Sequence, residues 1–180
     1  MNFLSNFIKS AKHTGAVAQS SKFLAREMIK QADLNNIQTI VELGPGMGAI
    51  TKQIIERMPS GIKLFTCEIN GDFVSHLNKK FPEAEHIHSG IDNLSQLLYE
   101  RGVEKADVLI SGIPFTNFKK KEREKMFKSI QEVMHKDSRL VLFTYSPIRF
   151  GSFFSAFQKV NISYVPLNIP PAYVVTLRKK

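Results

Sequence analysis

The chain has 180 residues, which suits one domain with a full hydrophobic core. An apolar content of 43% and an aromatic content of 10% exclude a disordered chain. The apolar runs are far shorter than the roughly 18–20 residues that a membrane-spanning helix needs. The first residues also lack the continuous apolar stretch of a signal peptide. The single cysteine, Cys67, excludes an internal disulfide and a cysteine metal cluster, so we expect a reducing, cytoplasmic location.

The net charge of +9 is unevenly distributed along the chain. Residues 1–30 carry five Lys and Arg against one acid, and residues 119–128 carry six against two. Residues 31–118, in contrast, carry seven bases against eleven acids. Clustered positive charge suits a polyanion, either a nucleic acid or an anionic membrane surface. Solvated lysine on an ordinary surface explains a single cluster equally well.

The N-terminal segment predicts helices that precede the first strand. In residues 1–12, four apolar side chains recur at helical spacing ahead of two lysines. Such a helix can lie in a membrane interface, although the same face can instead pack on the domain. A second helix is predicted over residues 20–32, with serines at its start as caps. We expect one domain, with helices over residues 1–33 and a cofactor-binding α/β core over residues 34–180.

From residue 38 onward, apolar and β-branched runs alternate with helical patterns. This alternation predicts an α/β fold with a doubly wound, mostly parallel sheet of seven strands, the last two forming a closing hairpin. The predicted strands cover residues 38–43, 62–68, 84–88, 107–112, 139–145, 160–167 and 170–180. The predicted helices between them cover residues 49–58, 72–80, 93–101 and 120–136.

A glycine-rich turn follows the first predicted strand, in the sequence VELGPGMGAI of residues 41–50. The turn contains three glycines at alternate positions, Gly44, Gly46 and Gly48. On spacing alone it also fits a dinucleotide, because Ala49 can take the third place of that fingerprint. A dinucleotide would bring its pyrophosphate close to the carboxylate of Glu42, whereas S-adenosylmethionine would bring an ammonium and a sulfonium cation. The acid at position 42 therefore favours S-adenosylmethionine as the cofactor.

Two further carboxylates are predicted near the carboxyl ends of strands, where open α/β sheets bind their ligands. Glu68 ends the second strand, with Ile69 beside it, and can accept hydrogen bonds from both ribose hydroxyls of the cofactor. Asp92 follows the third strand, where it can accept a hydrogen bond from the exocyclic amine of adenine. Asp92 can also cap the helix that starts near Asn93, and the residues alone leave both roles open.

The fourth strand ends in the stretch SGIPF of residues 111–115, a polar residue followed by proline and an aromatic ring. The side chain of Ser111 and a backbone carbonyl here can accept hydrogen bonds from a nucleophilic nitrogen and orient it toward the methyl group. The ring of Phe115 can stack on a flat base or attract a cationic amine. The stretch predicts methylation of an amino group, with Ser111 and Phe115 at the acceptor.

Together these motifs resemble those of the bacterial phospholipid N-methyltransferases, which are similar to the rRNA adenine dimethyltransferases. The resemblance runs through most of the chain, in VELGPGMGAIT (41–51), CEIN (67–70), SGIPF (111–115), FTYSP (143–147) and NIPPAYV (168–174). The last three favour the phospholipid branch, because the rRNA enzymes normally carry an Asn-x-Pro-Tyr motif and an appended helical domain that we do not expect here.

The resemblance implies a Rossmann-like class I methyltransferase that uses S-adenosylmethionine. It implies methyl transfer to the amino headgroup of phosphatidylethanolamine, or to its partly methylated forms, at the inner face of the membrane. The phospholipid substrate and an anionic membrane surface are thus the expected partners, and nucleic acid is the alternative.

Other side chains are candidates for proton transfer or substrate binding. A lipid ammonium must lose a proton before attack, and Tyr145 at the end of the fifth strand can orient the amine or help pass the proton, although it can also be a core residue. His13 is the histidine considered for proton transfer, with packing as the alternative. Four cations can hold a lipid phosphate: Lys119, Lys120, Lys121 and Arg123. No His, Cys, Asp or Glu cluster has ligand spacing, so no metal is expected.

Two other functions fit parts of the sequence. An RNA or DNA adenine N6-methyltransferase would use the same fold, and its phosphate backbone would suit the basic clusters. A lipid- or nucleic-acid-binding domain without catalysis would also be basic, but the intact Glu42, glycine turn and Glu68 argue against it.

Overall fold

The structure is a computed structural model that describes residues 15–145 and 154–180, with side chains from residue 22 onward. The predicted helix over residues 1–12 and His13 lie outside these residues. The described helices are α1 (Gly15–Ala32), α2 (Ala49–Ile55), α3 (Gly71–Lys80), α4 (Leu94–Tyr99) and α5 (Lys120–Glu132). The strands are β1 (Thr39–Leu43), β2 (Lys63–Glu68), β3 (Glu85–His88), β4 (Ala106–Ser111), β5 (Met134–Thr144), β6 (Phe157–Val165) and β7 (Ala172–Lys179). No helix in the described part of the chain combines the length and apolarity needed to cross a bilayer.

The seven strands form one sheet in the order β3-β2-β1-β4-β5-β7-β6. The first five strands run parallel, whereas β7 lies antiparallel between β5 and β6. The predicted α/β fold with a mostly parallel seven-stranded sheet is confirmed, and so is the closing hairpin. The strand order reverses between β1 and β4, so a crevice opens between the carboxyl ends of these two strands.

Hydrophobic cores cover both faces of the sheet. On one face α1 contributes Met28, which packs in the same cluster as Ile40 of β1. On the other face α5 contributes Phe127, which packs in the same cluster as Val41 of β1. Successive strand residues point to opposite faces, and every residue of β1 is buried. This burial on two sides explains why β1 is apolar throughout except for Thr39 and the acid Glu42.

Some boundaries differ from the prediction. α1 begins at Gly15, so the serines predicted as caps lie inside the helix. α5 ends at Glu132 and not at residue 136, because Met134 pairs with Ala106 and opens β5 five residues before the predicted start. The apolar side chains that continue the helical pattern are buried by the sheet instead. Pairing between β4 and β5 decided this boundary, and the local periodicity of the sequence does not show which residues will pair.

Candidate active site

A cavity of about 580 Å³ lies at the carboxyl ends of β1, β2 and β4, in the crevice where the strand order reverses. This volume is typical of pockets that bury a small ligand. The glycine turn, the segments after β2 and β3, the loop after β4 and the first half of α5 form its wall. The sequence analysis placed the cofactor and acceptor residues in most of these segments.

The glycine turn combines a ligand-facing position with packing positions. Gly44, Gly46 and Gly48 have φ angles of +68°, +57° and +83°, in the left-handed region that glycine adopts without strain. A Cβ at Gly46 would meet nothing within 4 Å, so a ligand can approach the bare backbone there. A Cβ at Gly48 would lie 2.2 Å from the ring of Phe81. Gly44 and Gly46 line the cavity, whereas Gly48 packs at the start of α2, and its cofactor contact stays a prediction.

Glu42 is fully buried beneath the turn and does not line the cavity. Its Oε2 accepts a hydrogen bond of 2.6 Å from the hydroxyl of Thr51 on α2, and its Oε1 has no hydrogen-bond partner among the described residues. Burial raises the pKa of Glu42 to about 8, and the negative charge of Glu68 adds to the increase. Glu42 stays a predicted partner of a cofactor cation, directly or through water. Its carboxyl lies behind the turn, and a positive charge in the cavity would favour its ionised form.

Glu68 borders the cavity at the end of β2, next to Ile69. Its Oε1 accepts a hydrogen bond of 2.9 Å from the N–H of Asn70, and its Oε2 accepts one of 3.1 Å from the N–H of Gly46. Each carboxylate oxygen can accept more than one hydrogen bond, so capacity remains for ribose hydroxyls. Glu68 thus ties the glycine turn to the end of β2, and its contact with ribose stays a prediction.

Asp92 lies at the cavity wall, in the 3₁₀ turn Ile91–Asn93. Since α4 has no side-chain hydrogen bond at its N-cap, the position of Asp92 favours the cavity over the capping role. Nζ of Lys125 on α5 lies 3.5 Å from Oδ1 of Asp92. Both side chains are more than half exposed, so the pair is weak and can open for a ligand. Lys125 also lines the cavity, and the sequence analysis did not single it out.

Two residues predicted at the acceptor lie in the interior instead. Ser111 is fully buried, and its hydroxyl oxygen accepts a hydrogen bond of 3.2 Å from the N–H of Ile113. The ring of Phe115 is 2% exposed and packs against Phe127 with the ring centroids 4.8 Å apart. Neither residue lines the cavity. The contacts predicted for Ser111 with cofactor and acceptor, and for Phe115 with the acceptor, stay predictions, which backbone bonding and core packing of the two side chains do not favour.

Apolar residues outside the predicted set also line the cavity. The wall here includes Ile113, Pro114, Phe118, Met126 and Phe143. Phe118 comes from the loop ahead of α5, and Phe143 comes from β5. Their rings offer the aromatic surface that Phe115 was predicted to offer. Two sequence signals point to Phe143: its place near the carboxyl end of a predicted strand, and its place in the FTYSP motif of residues 143–147.

Tyr145 follows the end of β5, one ring away from the cavity wall. It packs edge-to-face on Phe143, with the ring centroids 5.4 Å apart. Burial raises the pKa of Tyr145, and a hydrogen bond with Asn168 opposes part of this increase. A phenol with a raised pKa stays protonated at neutral pH, so its hydroxyl can orient a neighbouring group by hydrogen bonding. Both roles predicted for Tyr145, orienting the amine and passing its proton, stay predictions.

The cations after β4 divide into an exposed set and a buried residue. The exposed set consists of Lys119, Lys120 and Lys121 at the start of α5. Arg123 is buried and donates a hydrogen bond of 3.1 Å to the carbonyl of Phe118. Arg123 therefore supports the loop that carries Phe118, and its contact with a lipid phosphate stays a prediction. Among the described residues, no group of three or more His, Cys, Asp and Glu has a geometry that could hold a metal ion.

The model of the ribosomal RNA adenine dimethylase family matches residues 9–101, just over half of the chain. The chain belongs to this family. It is an S-adenosylmethionine-dependent methyltransferase, as Glu42 and the glycine turn predict, and the dinucleotide alternative is wrong.

Two relatives differ in how much of their length they share with this methyltransferase. An ornithine lipid N-methyltransferase from Singulisphaera acidiphila is 29% identical over 174 residues, which cover 94% of this chain and 91% of that protein. Ribosomal RNA small subunit methyltransferase A of Mycoplasma mycoides is 32% identical over 112 residues, which cover 60% of this chain and 41% of that protein. The resemblance to lipid N-methyltransferases and to their rRNA-modifying relatives is confirmed.

A solved structure supports the fold. The 1,6-didemethyltoxoflavin-N1-methyltransferase of Burkholderia thailandensis, with bound S-adenosylhomocysteine, has a TM-score of 0.70 and 13% sequence identity. The match covers 98% of this chain and 86% of that chain. The Rossmann-like methyltransferase fold predicted from the sequence is confirmed.

Proposed function

We propose that this methyltransferase transfers methyl groups to the amino group of a membrane lipid, either phosphatidylethanolamine or an ornithine lipid, at the cytoplasmic face of the membrane. The observation that carries the proposal is the similarity to an ornithine lipid N-methyltransferase along 94% of the chain. Both lipids present a primary amine in a polar headgroup, so one amine-methylating site can serve either. The motifs of residues 111–115, 143–147 and 168–174 support the same acceptor.

The residues at the cavity fit S-adenosylmethionine, which supplies a methyl group on a sulfonium centre. The bare backbone at Gly46 leaves room for the methionine part of the cofactor. Glu68 retains lone pairs for the ribose hydroxyls, while Ile69 and Asp92 border the space assigned to adenine. Glu42 would attract the cationic part of the cofactor through the turn once its carboxyl is ionised.

The apolar end of the cavity explains how a lipid ammonium can become a nucleophile. Ile113, Phe118 and Phe143 surround the acceptor with apolar surface, and such surroundings lower the pKa of an ammonium. The headgroup can therefore release its proton to water as it enters the cavity. The lone pair of the neutral amine would then be free to form a bond to the methyl carbon in line, while the bond from that carbon to the sulfonium sulfur breaks and S-adenosylhomocysteine leaves; fixed orientation would lower the barrier to that step. The Tyr145 hydroxyl, hydrogen-bonded to Asn168, is the group we assign to orienting the headgroup.

A labelling experiment tests the proposal. Purified protein is given methyl-labelled cofactor with separate acceptors: vesicles of phosphatidylethanolamine, vesicles of ornithine lipid, and total RNA. We expect label in at least one lipid and none in RNA, with a higher rate when anionic phosphatidylglycerol is added. Transfer to neither lipid, with cofactor binding intact in calorimetry, would refute the proposal. Glu68→Ala serves as the control that should lose transfer with every acceptor.

Adenine in ribosomal RNA is a second candidate acceptor, favoured by the family match over residues 9–101 and by the similarity to an rRNA methyltransferase. The rings of Phe118 and Phe143 could stack on a base as well as attract an amine. Label that enters RNA, and that falls steeply as salt is raised, would support this candidate.

A further inference from the structure

We infer that the loop between β6 and β7, residues 166–171, docks on an anionic phospholipid bilayer. We call this loop the hairpin tip. The inference deepens the proposed function and depends on it, because an enzyme that methylates a lipid headgroup must bring its cavity to the bilayer surface. The inference is separate from the helix predicted over residues 1–12, which the described residues do not include.

The hairpin tip buries a polar side chain and exposes aliphatic ones. Asn168 is 3% exposed; its side-chain amide donates a hydrogen bond of 2.6 Å to the carbonyl of Pro170, and its N–H donates one of 3.3 Å to the carbonyl of Val165. Its neighbours Leu167 and Ile169 are 62% and 66% exposed. In a loop that faces water, the amide would be outside and the aliphatic side chains inside. The buried amide instead anchors the loop while it presents two aliphatic side chains outward.

Exposed tyrosines extend this apolar surface onto the strands. The rings of Tyr164 on β6 and Tyr173 on β7 pack together across the hairpin with their centroids 5.0 Å apart. Tyr164 and Tyr145 are both exposed, and so is Ile162, two residues before Tyr164 on β6. Tyrosine is enriched at the headgroup level of bilayers, because its ring is apolar and its hydroxyl stays hydrated. The aliphatic tip with a border of tyrosines has the composition of a membrane-interface surface.

The hairpin tip lies at the edge of the sheet where the cavity opens. β7 runs antiparallel to β5 with Tyr173 opposite Thr144, so the turn before β7 meets the carboxyl end of β5. The cavity opens at the carboxyl ends of the parallel strands. Tyr145 connects the two features, since it hydrogen-bonds with Asn168 of the tip and packs on Phe143 of the cavity wall. A bilayer in contact with the tip would face the cavity edge of the sheet.

The charges near the hairpin tip indicate that the surface it docks on is anionic. The tip and the adjoining ends of β6 and β7, residues 160–177, contain no Asp or Glu. Lys119, Lys120 and Lys121 supply exposed positive charge where α5 begins, after the carboxyl end of β4 and so at the same edge of the sheet. An apolar tip with exposed cations at the same edge of the sheet suits a bilayer with anionic headgroups. A second copy of this chain would bring the same positive charge against itself, which favours the bilayer over self-association.

Vesicle sedimentation of the full chain tests the inference. The double variant Leu167→Ser with Ile169→Ser is compared with the parent on vesicles of phosphatidylglycerol and phosphatidylcholine, which offer no amine to methylate. We expect the double variant to bind these vesicles at least tenfold more weakly, while its calorimetric affinity for S-adenosylmethionine stays within about twofold of the parent. The matched control is Tyr99→Ser: Tyr99 is 75% exposed and ends α4, on the side of the sheet where β4 begins. This control should bind vesicles as the parent does.

Three outcomes would overturn the inference: unchanged vesicle binding by the double variant, an equal loss in Tyr99→Ser, or a change of oligomeric state in light scattering without loss of vesicle binding. The last outcome would assign the surface to a second copy of the chain. Because the vesicles contain no methyl acceptor, their binding reports on the hairpin tip even if the methyl-transfer assay on lipid amines fails. A failure of the docking inference can therefore be distinguished from a failure of the proposed function.

Discussion

Glu42 and Glu68 are acids at neighbouring strand ends, and their surroundings give them different chemistry. Glu68 accepts hydrogen bonds from two backbone N–H groups, those of Gly46 and Asn70. Glu42 accepts one hydrogen bond from Thr51 and is cut off from water, so burial raises its pKa to about 8. The charge of Glu42 consequently depends on what binds above the turn, whereas Glu68 is an acceptor at the cavity itself.

Replacing Glu42 by Gln should flatten the pH dependence of stability. The pKa is about 8 in the folded chain against a reference value of 4.5, so the folded state holds this proton more tightly. The resulting stabilisation is complete below the reference value and is lost as pH rises through the folded value, by at most about 1.4 kcal/mol per pH unit. Denaturant unfolding near pH 6 and near pH 9 measures the free energy of unfolding, which should fall more steeply in the parent than in Glu42→Gln.

The control for this prediction is Glu104→Gln, which changes an exposed acid in the same way. The control should keep the pH dependence of the parent. Identical pH dependence in the parent and in Glu42→Gln would contradict the prediction.

Glu68→Ala should raise the dissociation constant of S-adenosylmethionine by roughly tenfold or more. A charge-assisted hydrogen bond to ribose contributes about 1.5–3 kcal/mol, and each 1.4 kcal/mol is a factor of about ten. The variant also releases the N–H of Gly46 from the carboxylate, which loosens the turn. Titration calorimetry measures the affinity, and Asp72→Ala, an exposed acid just outside the cavity, is the matched control. Equal affinities in the two variants would disprove the role of Glu68.

Among the secondary-structure elements, the junction of β1 and α2 depends most on glycine. Gly48→Ala should destabilise the chain more than Gly102→Ala. Both glycines have positive φ angles, +83° and +70°, which cost a non-glycine residue about 1–2 kcal/mol. Only Gly48 has a close neighbour, since its Cβ would meet Phe81 at 2.2 Å, and overpacking adds about 1–3 kcal/mol. Urea unfolding of both variants measures the difference, and equal losses would show that Phe81 moves aside without cost.

For the molecule as a whole, two separate segments are assigned to the bilayer: the predicted helix of residues 1–12 and the hairpin tip. Deleting residues 1–12 should weaken vesicle binding and leave the affinity for S-adenosylmethionine nearly unchanged, because the predicted cofactor contacts, Glu42 to Ser111, belong to the α/β core; among the described residues the cavity wall comes from residues 44–143. Sedimentation on anionic vesicles and calorimetry measure the two quantities. If the truncated chain bound vesicles as tightly as the parent, the interfacial-helix prediction would fail.

The sequence by itself determined the order of strands and helices, the glycine turn and the class of cofactor. These features have local causes. Buried parallel strands require continuous apolar runs, the left-handed turn requires glycine at positions 44, 46 and 48, and an acid at position 42 disfavours a pyrophosphate ligand. Even the weak third strand, over residues 84–88, has its counterpart in β3.

Only the tertiary structure decided which side chains reach the cavity. Phe115 turns into the core against Phe127, while Phe118 and Phe143, 25 residues apart in the chain, form the aromatic wall. The raised pKa of Glu42 and the exposure of aliphatic side chains at the hairpin tip likewise depend on partners from other elements. Burial and electrostatic environment are set by neighbours that are distant in sequence, and a local pattern does not record which face of a loop those neighbours will cover.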